Sequence, residues 1–215
     1  MVEKKDKKGK RTKEKLLEIA TRLFAERGFA GTTVDAIVNE ARINKRMVYH
    51  YFGSKERLYQ ASLRLVFGRL GDIELELSEH KDGLEALLAS IIKEYFHFLQ
   101  TNSEFVKLLL WENLNQGHGI EGAQLTEVKN PILTKLNEAI QRGIDEGKLR
   151  SNLDARHLLI NLIGLCLIYF SNRHTLSQSL SMDLGAPETL DEGIDHIIKL
   201  VQEGIHAGEK EVTPL

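Results

Sequence analysis

Residues 32–52 read TTVDAIVNEARINKRMVYHYF, a stretch that predicts two short helices joined by a tight turn. Thr32 or Thr33 is a good N-cap for the first helix, and Asp35 in its first turn suits the helix dipole. The apolar residues of this helix recur at helical spacing, so one face must pack against other helices. That face is formed by Val34, Ile37, Val38 and Ala41.

The second helix of this pair has an apolar inner side and a polar outer side. Ile43 is expected in the turn and Asn44 can cap the helix, while Val48 and Phe52 lie four residues apart and point inward. The outer side carries Lys45, Arg46, Tyr49 and His50. A short helix that offers cations and polar aromatics on a stable apolar base is typical of an element that reads DNA.

A helix before this pair completes a three-helix headpiece, and a longer helix follows it. A helix is predicted from about Thr12 to Arg27, ended by Gly28, with Phe29 able to touch Phe24. Gly53 ends the helix that faces DNA, and Ser54 caps a longer one. The apolar side of the first helix is formed by Leu16, Ile19, Ala20, Leu23 and Phe24.

Over about fifty residues of this region, a set of residues occurs at fixed distances from one another along the sequence. They are Gly28-Phe29, Gly31-Thr32-Thr33-Val34, Ala41, Ile43-Asn44, Val48-Tyr49-His50-Tyr51-Phe52 and Ser54-Lys55-Glu56 with Leu58. The set resembles the N-terminal signature of TetR (AcrR-like) transcriptional regulators. Two residues depart from the family pattern: Arg42 stands where glycine is common, and Arg46 where a small residue is frequent. An arginine at position 46 adds a donor that can bind guanine edges bidentately.

The resemblance implies a double-stranded DNA operator as partner and assigns roles to single residues. Tyr49 would contact phosphate through its hydroxyl, and Thr33 and Lys55 would contact phosphate at helix starts. Arg46, which departs from the family pattern, is expected to read bases because its guanidinium can bond guanine edges bidentately. Tyr51 can instead pack inward, since it follows Val48 by three residues. The predicted DNA-binding residues are Thr33, Asn44, Lys45, Arg46, Tyr49, His50, Tyr51 and Lys55.

The charge of the chain is divided between its two ends. Residues 1–57 hold fifteen Lys and Arg against eight Asp and Glu, a formal charge of +7, whereas the remainder holds fourteen against twenty-three, or −9. The net charge of −2 therefore hides a basic end that suits phosphates. The lysines of residues 1–10 are expected in a disordered tail that either contacts DNA or is simply solvated.

The whole chain is predicted to be all-α, with about nine helices, because 3.6-residue periodicity recurs and only three prolines occur in 215 residues. We expect a disordered tail over 1–10, a helix-turn-helix domain over 11–53, a ligand-binding and dimerisation domain over 54–206, and a second disordered tail over 207–215. The single cysteine and the absence of a signal-peptide pattern favour a reduced, cytoplasmic protein.

The longest apolar stretch is Leu158 to Phe170. Its thirteen residues fall short of the roughly 20 that span a membrane, so we predict a buried helix and no membrane. The resemblance implies that the last two long helices, near 154–173 and 188–206, form the interface of a homodimer. Two recognition helices about one DNA turn apart could then read a palindrome.

The helices between headpiece and dimer interface are expected to form a ligand chamber. A glycine-rich loop is predicted over Gln116 to Gly122, and an Asn130-Pro131 cap after it. Ordinary core packing or dimer contact is the alternative for every lining residue. Asn161 is favoured because an amide in an apolar helix needs a partner, which could be the ligand, the backbone or the symmetry-related helix. The predicted lining, for a small hydrophobic effector, is Tyr95, Phe98, Trp111, Asn113, His118, Asn161, Cys166, Tyr169 and Phe170.

The sequence shows none of the catalytic motifs sought in it. It has no HExxH, no GxSxG and no glycine-rich phosphate loop, and Glu74 with Glu76 reads as solvated helix surface. We therefore expect no enzyme, no metal and no cofactor. The favoured function is a ligand-released homodimeric repressor. The alternative is a DNA-binding protein of the same fold that is architectural or regulated by a partner protein.

Overall fold

The computed structural model describes residues 2–79, 83–123 and 130–206, and of residues 2–6 and 8 it describes the backbone alone. The all-α prediction is confirmed. These ranges contain eleven helices rather than about nine, because the short helices His118–Gly122 and Arg173–Ser179 were not predicted. The helices are α1 Val2–Gly31, α2 Val34–Ala41, α3 Arg46–Phe52, α4 Lys55–Ser78, α5 Leu84–Thr101, α6 Ser103–Leu114, α7 His118–Gly122, α8 Pro131–Asp145, α9 Ala155–Ser171, α10 Arg173–Ser179 and α11 Pro187–Ile205.

The amino end of helix α1 differs from the prediction, whereas the break near its carboxyl end was predicted. It begins at Val2, so residues 2–10 are helical where disorder was expected; lysines are good helix formers, and the helix continues through them. Gly28, with φ 68° and ψ 177°, interrupts the helix as predicted. The second tail, over 207–215, lies outside the described residues.

The predicted cap of α2 is confirmed at Thr33, whereas the residue directly before α3 is Lys45, which has no side-chain capping bond, and not Asn44. Thr33 is the N-cap of α2 and accepts a hydrogen bond from the Ala36 amide at 3.1 Å. Asn44 accepts one from the Arg46 amide at 2.9 Å. Val48 is fully buried under α3, so the inward face of that helix is confirmed. The glycine-rich loop predicted after α6 is in part a helix, α7, whose single turn lacks the periodicity that sequence patterns need.

The chain forms two compact units, and neither is continuous in sequence. Unit 1 comprises Met1–Leu70 and Asn102–Val128, and unit 2 comprises Gly71–Thr101 and Lys129–Leu215. The expected boundary between residues 53 and 54 differs from this division, because α6 packs on α1 within unit 1. The Trp111 indole N–H donates to the carbonyl of Ala25 at 3.2 Å.

Unit 2 is built around α5. This helix packs against α8, α9 and α11, and the ring of Phe96 lies 5.1 Å from that of Tyr169 and 5.6 Å from that of Phe170. The cap predicted at Asn130 is present, since its side chain accepts from the Leu133 amide at 3.0 Å. Unit 2 is thus a helical layer in which α5 is the shared partner.

Among the described residues, no single helix is both long and apolar enough to cross a membrane. Ala155–Ser171 and Arg173–Ser179 pass such a test of length and composition only when taken together, and they meet at a bend of 79°.

A backbone prediction follows from Arg42, which ends α2 with φ 54° and ψ 46°. A β-carbon in this left-handed conformation costs roughly 1 kcal/mol or more. Arg42→Gly should therefore raise the free energy of unfolding by about 1 kcal/mol in urea titrations followed by circular dichroism. Arg42→Ala is the control, because it removes the guanidinium and keeps the β-carbon. An equal gain from both substitutions would show that the side chain, and not the backbone, is responsible.

Candidate nucleic-acid interface and effector pockets

Helix α3 presents one polar face to solvent above a buried base. Arg46, Tyr49 and His50 are exposed, with Tyr49 at 49%, while Val48 and Phe52 are buried. This separation follows from the 3.6-residue period, which places positions 46, 49 and 50 together and positions 48 and 52 opposite them. The structure therefore brings these three predicted DNA-binding residues onto one surface.

Lys45 and Arg46 differ in what they contact, although both are exposed. The Lys45 ammonium lies 2.8 Å from Oδ1 of Asp35, and its hydrogen bond to this carboxylate raises the pKa of Lys45. The Arg46 guanidinium makes no hydrogen bond or ion pair with any residue that the structure describes. Arg46 is consequently free to move to a base edge, whereas Lys45 must exchange Asp35 for a phosphate.

The two residues expected at helix starts also differ. Thr33 is exposed at the amino end of α2, where the backbone amides and the helix dipole favour an anion. The Lys55 ammonium instead lies 4.2 Å from the ring centre of Phe29, in a cation–π contact. A phosphate contact from Lys55 would require this side chain to leave the ring.

The side chain of Tyr51 packs partly inward, which was the alternative to a DNA contact. It is half-buried, and its ring lies 4.9 Å from that of His50 and 6.5 Å from that of Phe52. A β-carbon built on Gly9 would lie 3.5 Å from the Tyr51 hydroxyl, so this side chain lies beside the amino-terminal part of α1. Tyr51 is thus less open to solvent than Tyr49.

The nine residues predicted to line a ligand chamber are divided between the units. Unit 1 holds Trp111, Asn113 and His118, and unit 2 holds the other six. Asn113 and Asn161 are both exposed, and the Asn113 amide donates to the carbonyl of Leu109 at 2.8 Å. The residues in unit 2 are Tyr95, Phe98, Asn161, Cys166, Tyr169 and Phe170.

A polar contact in unit 2 was missed because Glu74 was interpreted as solvated surface. The Tyr95 hydroxyl donates to Oε1 of Glu74 at 2.6 Å, and Tyr95 is buried whereas Glu74 is half-buried. Burial raises the pKa of Glu74 against the opposing effect of this hydrogen bond, and raises that of Tyr95. Burial also raises the pKa of Cys166 to about 12, so its thiol stays protonated at neutral pH.

A second buried carboxylate, Glu112, lies in unit 1 and is only 2% exposed. It accepts from the Tyr59 hydroxyl at 2.6 Å and from the Ile120 amide at 2.9 Å. Helix α7 can lie this close because residue 119 is glycine: a β-carbon there would be 2.6 Å from Glu112 Oε1. The signal in the sequence was the position of Glu112 directly after the apolar residues 108–111.

Glu112 forms part of the wall of a pocket of about 560 Å³ in unit 1. Trp111 and His118, two of the predicted lining residues, also belong to this wall, whereas Asn113 does not. Within the described ranges, no three His, Cys, Asp or Glu side chains are grouped so as to hold a metal ion.

Comparisons with known proteins match both parts of the chain. Residues 16–62 match the family described as bacterial regulatory proteins, tetR family, and residues 85–201 match the tetracyclin repressor-like C-terminal domain. The chain is 32% identical over 200 residues to the HTH-type transcriptional repressor NicS of Pseudomonas putida, covering 91% of this chain and 92% of NicS. The chain belongs to the TetR family.

Two more distant relatives agree with this membership. The biofilm operon icaADBC HTH-type negative transcriptional regulator IcaR of Staphylococcus aureus is 25% identical over 176 residues, which cover 82% of this chain and 89% of IcaR. The crystal structure of the regulator FadR from Bacillus subtilis, in complex with stearoyl-CoA, shares the fold with a TM-score of 0.65. Its sequence is 20% identical, and the match covers 90% of this chain and 99% of FadR. TetR-family proteins of this kind are transcriptional regulators.

The Lys45–Asp35 pair generates a prediction about salt. Asp35→Asn frees the ammonium and removes a charge that repels phosphate, so binding to any DNA duplex should tighten. The slope of log K against log salt should also steepen by up to about 0.9, the value for one added phosphate contact. Fluorescence anisotropy at several salt concentrations measures both quantities.

Glu14→Gln is the matched control, since it removes one exposed negative charge from α1 without releasing Lys45. An Asp35→Asn slope equal to that of the control would contradict the prediction, because it would show that the released Lys45 adds no phosphate contact.

Proposed function

We propose that this TetR-family chain is a homodimeric repressor that binds a palindromic operator and is released from it by a small hydrophobic ligand. The observation that carries the proposal is the face of α3, where Arg46, Tyr49 and His50 are exposed over buried Val48 and Phe52. A rigid base under flexible polar side chains is what reading of the major groove requires.

The proposed DNA contacts are of two kinds, those that read bases and those that bind phosphates. The Arg46 fork can bond two acceptors of one guanine, so this residue would carry sequence preference. The Tyr49 hydroxyl, Lys45 and the amino end of α2 at Thr33 would bind phosphates and fix the orientation. Asn44 holds the start of α3 through the Arg46 amide, so its contribution to DNA binding would come through placement of that helix.

Dimerisation is supported by apolar residues that remain exposed on the last long helices of unit 2. On α9, Ile160 is 62% and Ile168 41% exposed, and on α11, Leu200 is 55% exposed. Gly164 lies on α9 one helical turn from both Ile160 and Ile168, and a β-carbon built on it would meet no described atom within 4 Å. Exposed aliphatic side chains beside so small a residue suit close approach of another helix. Asn161 on the same helix would pair across such an interface.

The effector would bind in unit 2, which holds both the Tyr95–Glu74 hydrogen bond and the cluster of aromatic rings formed by Phe96, Tyr169 and Phe170. FadR, which shares this fold, was crystallised with stearoyl-CoA, and this supports an apolar ligand for the fold. Release from DNA requires that the ligand bind two conformations with different affinity, because equal affinity shifts no equilibrium.

Selection of operators from random duplexes tests the DNA assignment. Arg46→Ala should relax the preference at particular base pairs, and the lost bidentate contact corresponds to about 1–3 kcal/mol at each of them. Tyr49→Phe, which removes only the hydroxyl, should weaken binding to all sequences alike. If Arg46→Ala retains the full sequence preference, Arg46 does not read bases.

A charged residue substituted on the exposed face of α9 tests whether this face forms the dimer interface. Ile160→Glu should weaken self-association by about tenfold or more in sedimentation velocity, because a carboxylate would have to be buried against apolar side chains. Leu114→Glu is the control, since Leu114 is 76% exposed and lies in unit 1. Equal sedimentation of both variants and the native protein would place the interface elsewhere.

A further inference from the structure

The pocket in unit 1 has a volume of about 560 Å³. It lies between four helices: the end of α1, the start of α4, the end of α6 and the start of α7. No DNA contact proposed above uses it, and it is separate from the effector site proposed in unit 2. Its wall combines aromatic rings with a carboxylate. The residues that matter are Phe29, Tyr59, Trp111 and Glu112, with Arg27 and Glu56 also in the lining.

The charge of Glu112 has no ionic partner in the wall. Its oxygens accept from one hydroxyl and one amide, at 2.6 and 2.9 Å, and no Lys or Arg of the described residues forms an ion pair with it. Each carboxylate oxygen accepts two hydrogen bonds, so each keeps one free acceptor position. A buried carboxylate without a countercharge is costly, and a cation in the pocket would remove that cost.

The aromatic residues that line the pocket also favour a positively charged ligand. The faces of aromatic rings attract cations, and one ring of this wall already does so, since the Lys55 ammonium lies 4.2 Å from the centre of Phe29. Arg27 and Glu56 carry opposite charges and offset each other in the lining. Glu112 therefore leaves the lining residues with a formal charge of −1, counting His118 as neutral; Lys55 contacts the Phe29 ring but does not line the pocket.

We propose that this pocket binds a monovalent organic cation with a flat apolar body, such as an aromatic ammonium compound. The positive group would lie against Glu112, and the apolar part would lie between Tyr59 and Trp111. Anions of the same shape would be excluded by the carboxylate, and neutral compounds would leave its charge unpaired.

The site also has a mechanical consequence, which rests on the proposed repressor function. The pocket includes Gly28, where α1 bends, and Trp111, whose indole holds the carbonyl of Ala25. A β-carbon built on Gly28 would lie 3.0 Å from the indole, so the ring and this bend are in direct contact. An occupant that shifts Trp111 would alter how α6 packs on α1, and hence the support of α2 and α3.

The single tryptophan of the chain reports binding directly. Benzylammonium, benzyl alcohol and phenylacetate, titrated into the full-length protein without DNA, compare positive, neutral and negative probes on one ring. We expect a saturable change of Trp111 emission with the cation, at a Kd at least about tenfold lower than for either other probe. Equal or tighter binding of the neutral or anionic probe overturns the proposal.

Glu112→Gln keeps the shape of the side chain and an acceptor for Tyr59, and removes the charge. It should weaken cation binding by about tenfold or more, as loss of a buried charge pair implies. Glu121→Gln, on the exposed surface of α7 and outside the pocket, should leave the Kd unchanged. Unchanged affinity in Glu112→Gln contradicts the proposal, and the three-probe comparison on the native protein decides the case if that variant does not fold.

Operator binding is measured separately, by anisotropy in the presence and absence of the cation. A protein that binds the cation but no operator contradicts the repressor function alone. A protein that binds its operator but discriminates against the cationic probe contradicts this site alone.

Discussion

The contact between Trp111 and the bend at Gly28 fixes the organisation of unit 1. The indole lies against a glycine whose φ of 68° interrupts α1, and its N–H donates to the carbonyl of Ala25 at 3.2 Å. The Thr32 hydroxyl lies 2.9 Å from the Gly28 carbonyl and 3.0 Å from that of Leu23, so the break leaves these polar groups satisfied. Helix α6, about eighty residues later in the chain, is thereby part of the unit that carries the DNA-facing helix.

This organisation links recognition and regulation through packing. The exposed face of α3 is held in place by Val48 and Phe52, and α2 and α3 in turn pack on α1. Because α6 also packs on α1, a ligand that changes the position of α6 would act on the support of α3, the helix proposed to read DNA. The buried Glu112, between α6, α4 and α7, is the polar group best placed for such an effect.

The sequence predicted the headpiece well because its information is local. The cap at Thr33, the hydrogen bond to Asn44, the break at Gly28 and the buried positions of α3 all follow from residues within a few positions of one another. What it could not predict depends on pairs distant in the chain. Tyr59 and Glu112 are 53 residues apart and Trp111 and Ala25 are 86 apart, so neither the discontinuous unit nor its pocket is visible in periodicity. For the same reason Glu74 was misinterpreted as surface, since its partner Tyr95 lies on another helix.

Amide hydrogen exchange of the native protein and of Trp111→Phe tests most directly whether α6 and α1 form one cooperative unit. The substitution keeps an aromatic ring beside Gly28 and removes the hydrogen bond to Ala25. If the two helices are coupled through this contact, protection of α6 (Ser103–Leu114) and of α1 from residue 16 to residue 27 falls together, while that of α8 (Pro131–Asp145) stays unchanged. A loss of protection confined to α6, with α1 unaffected, would contradict the coupling.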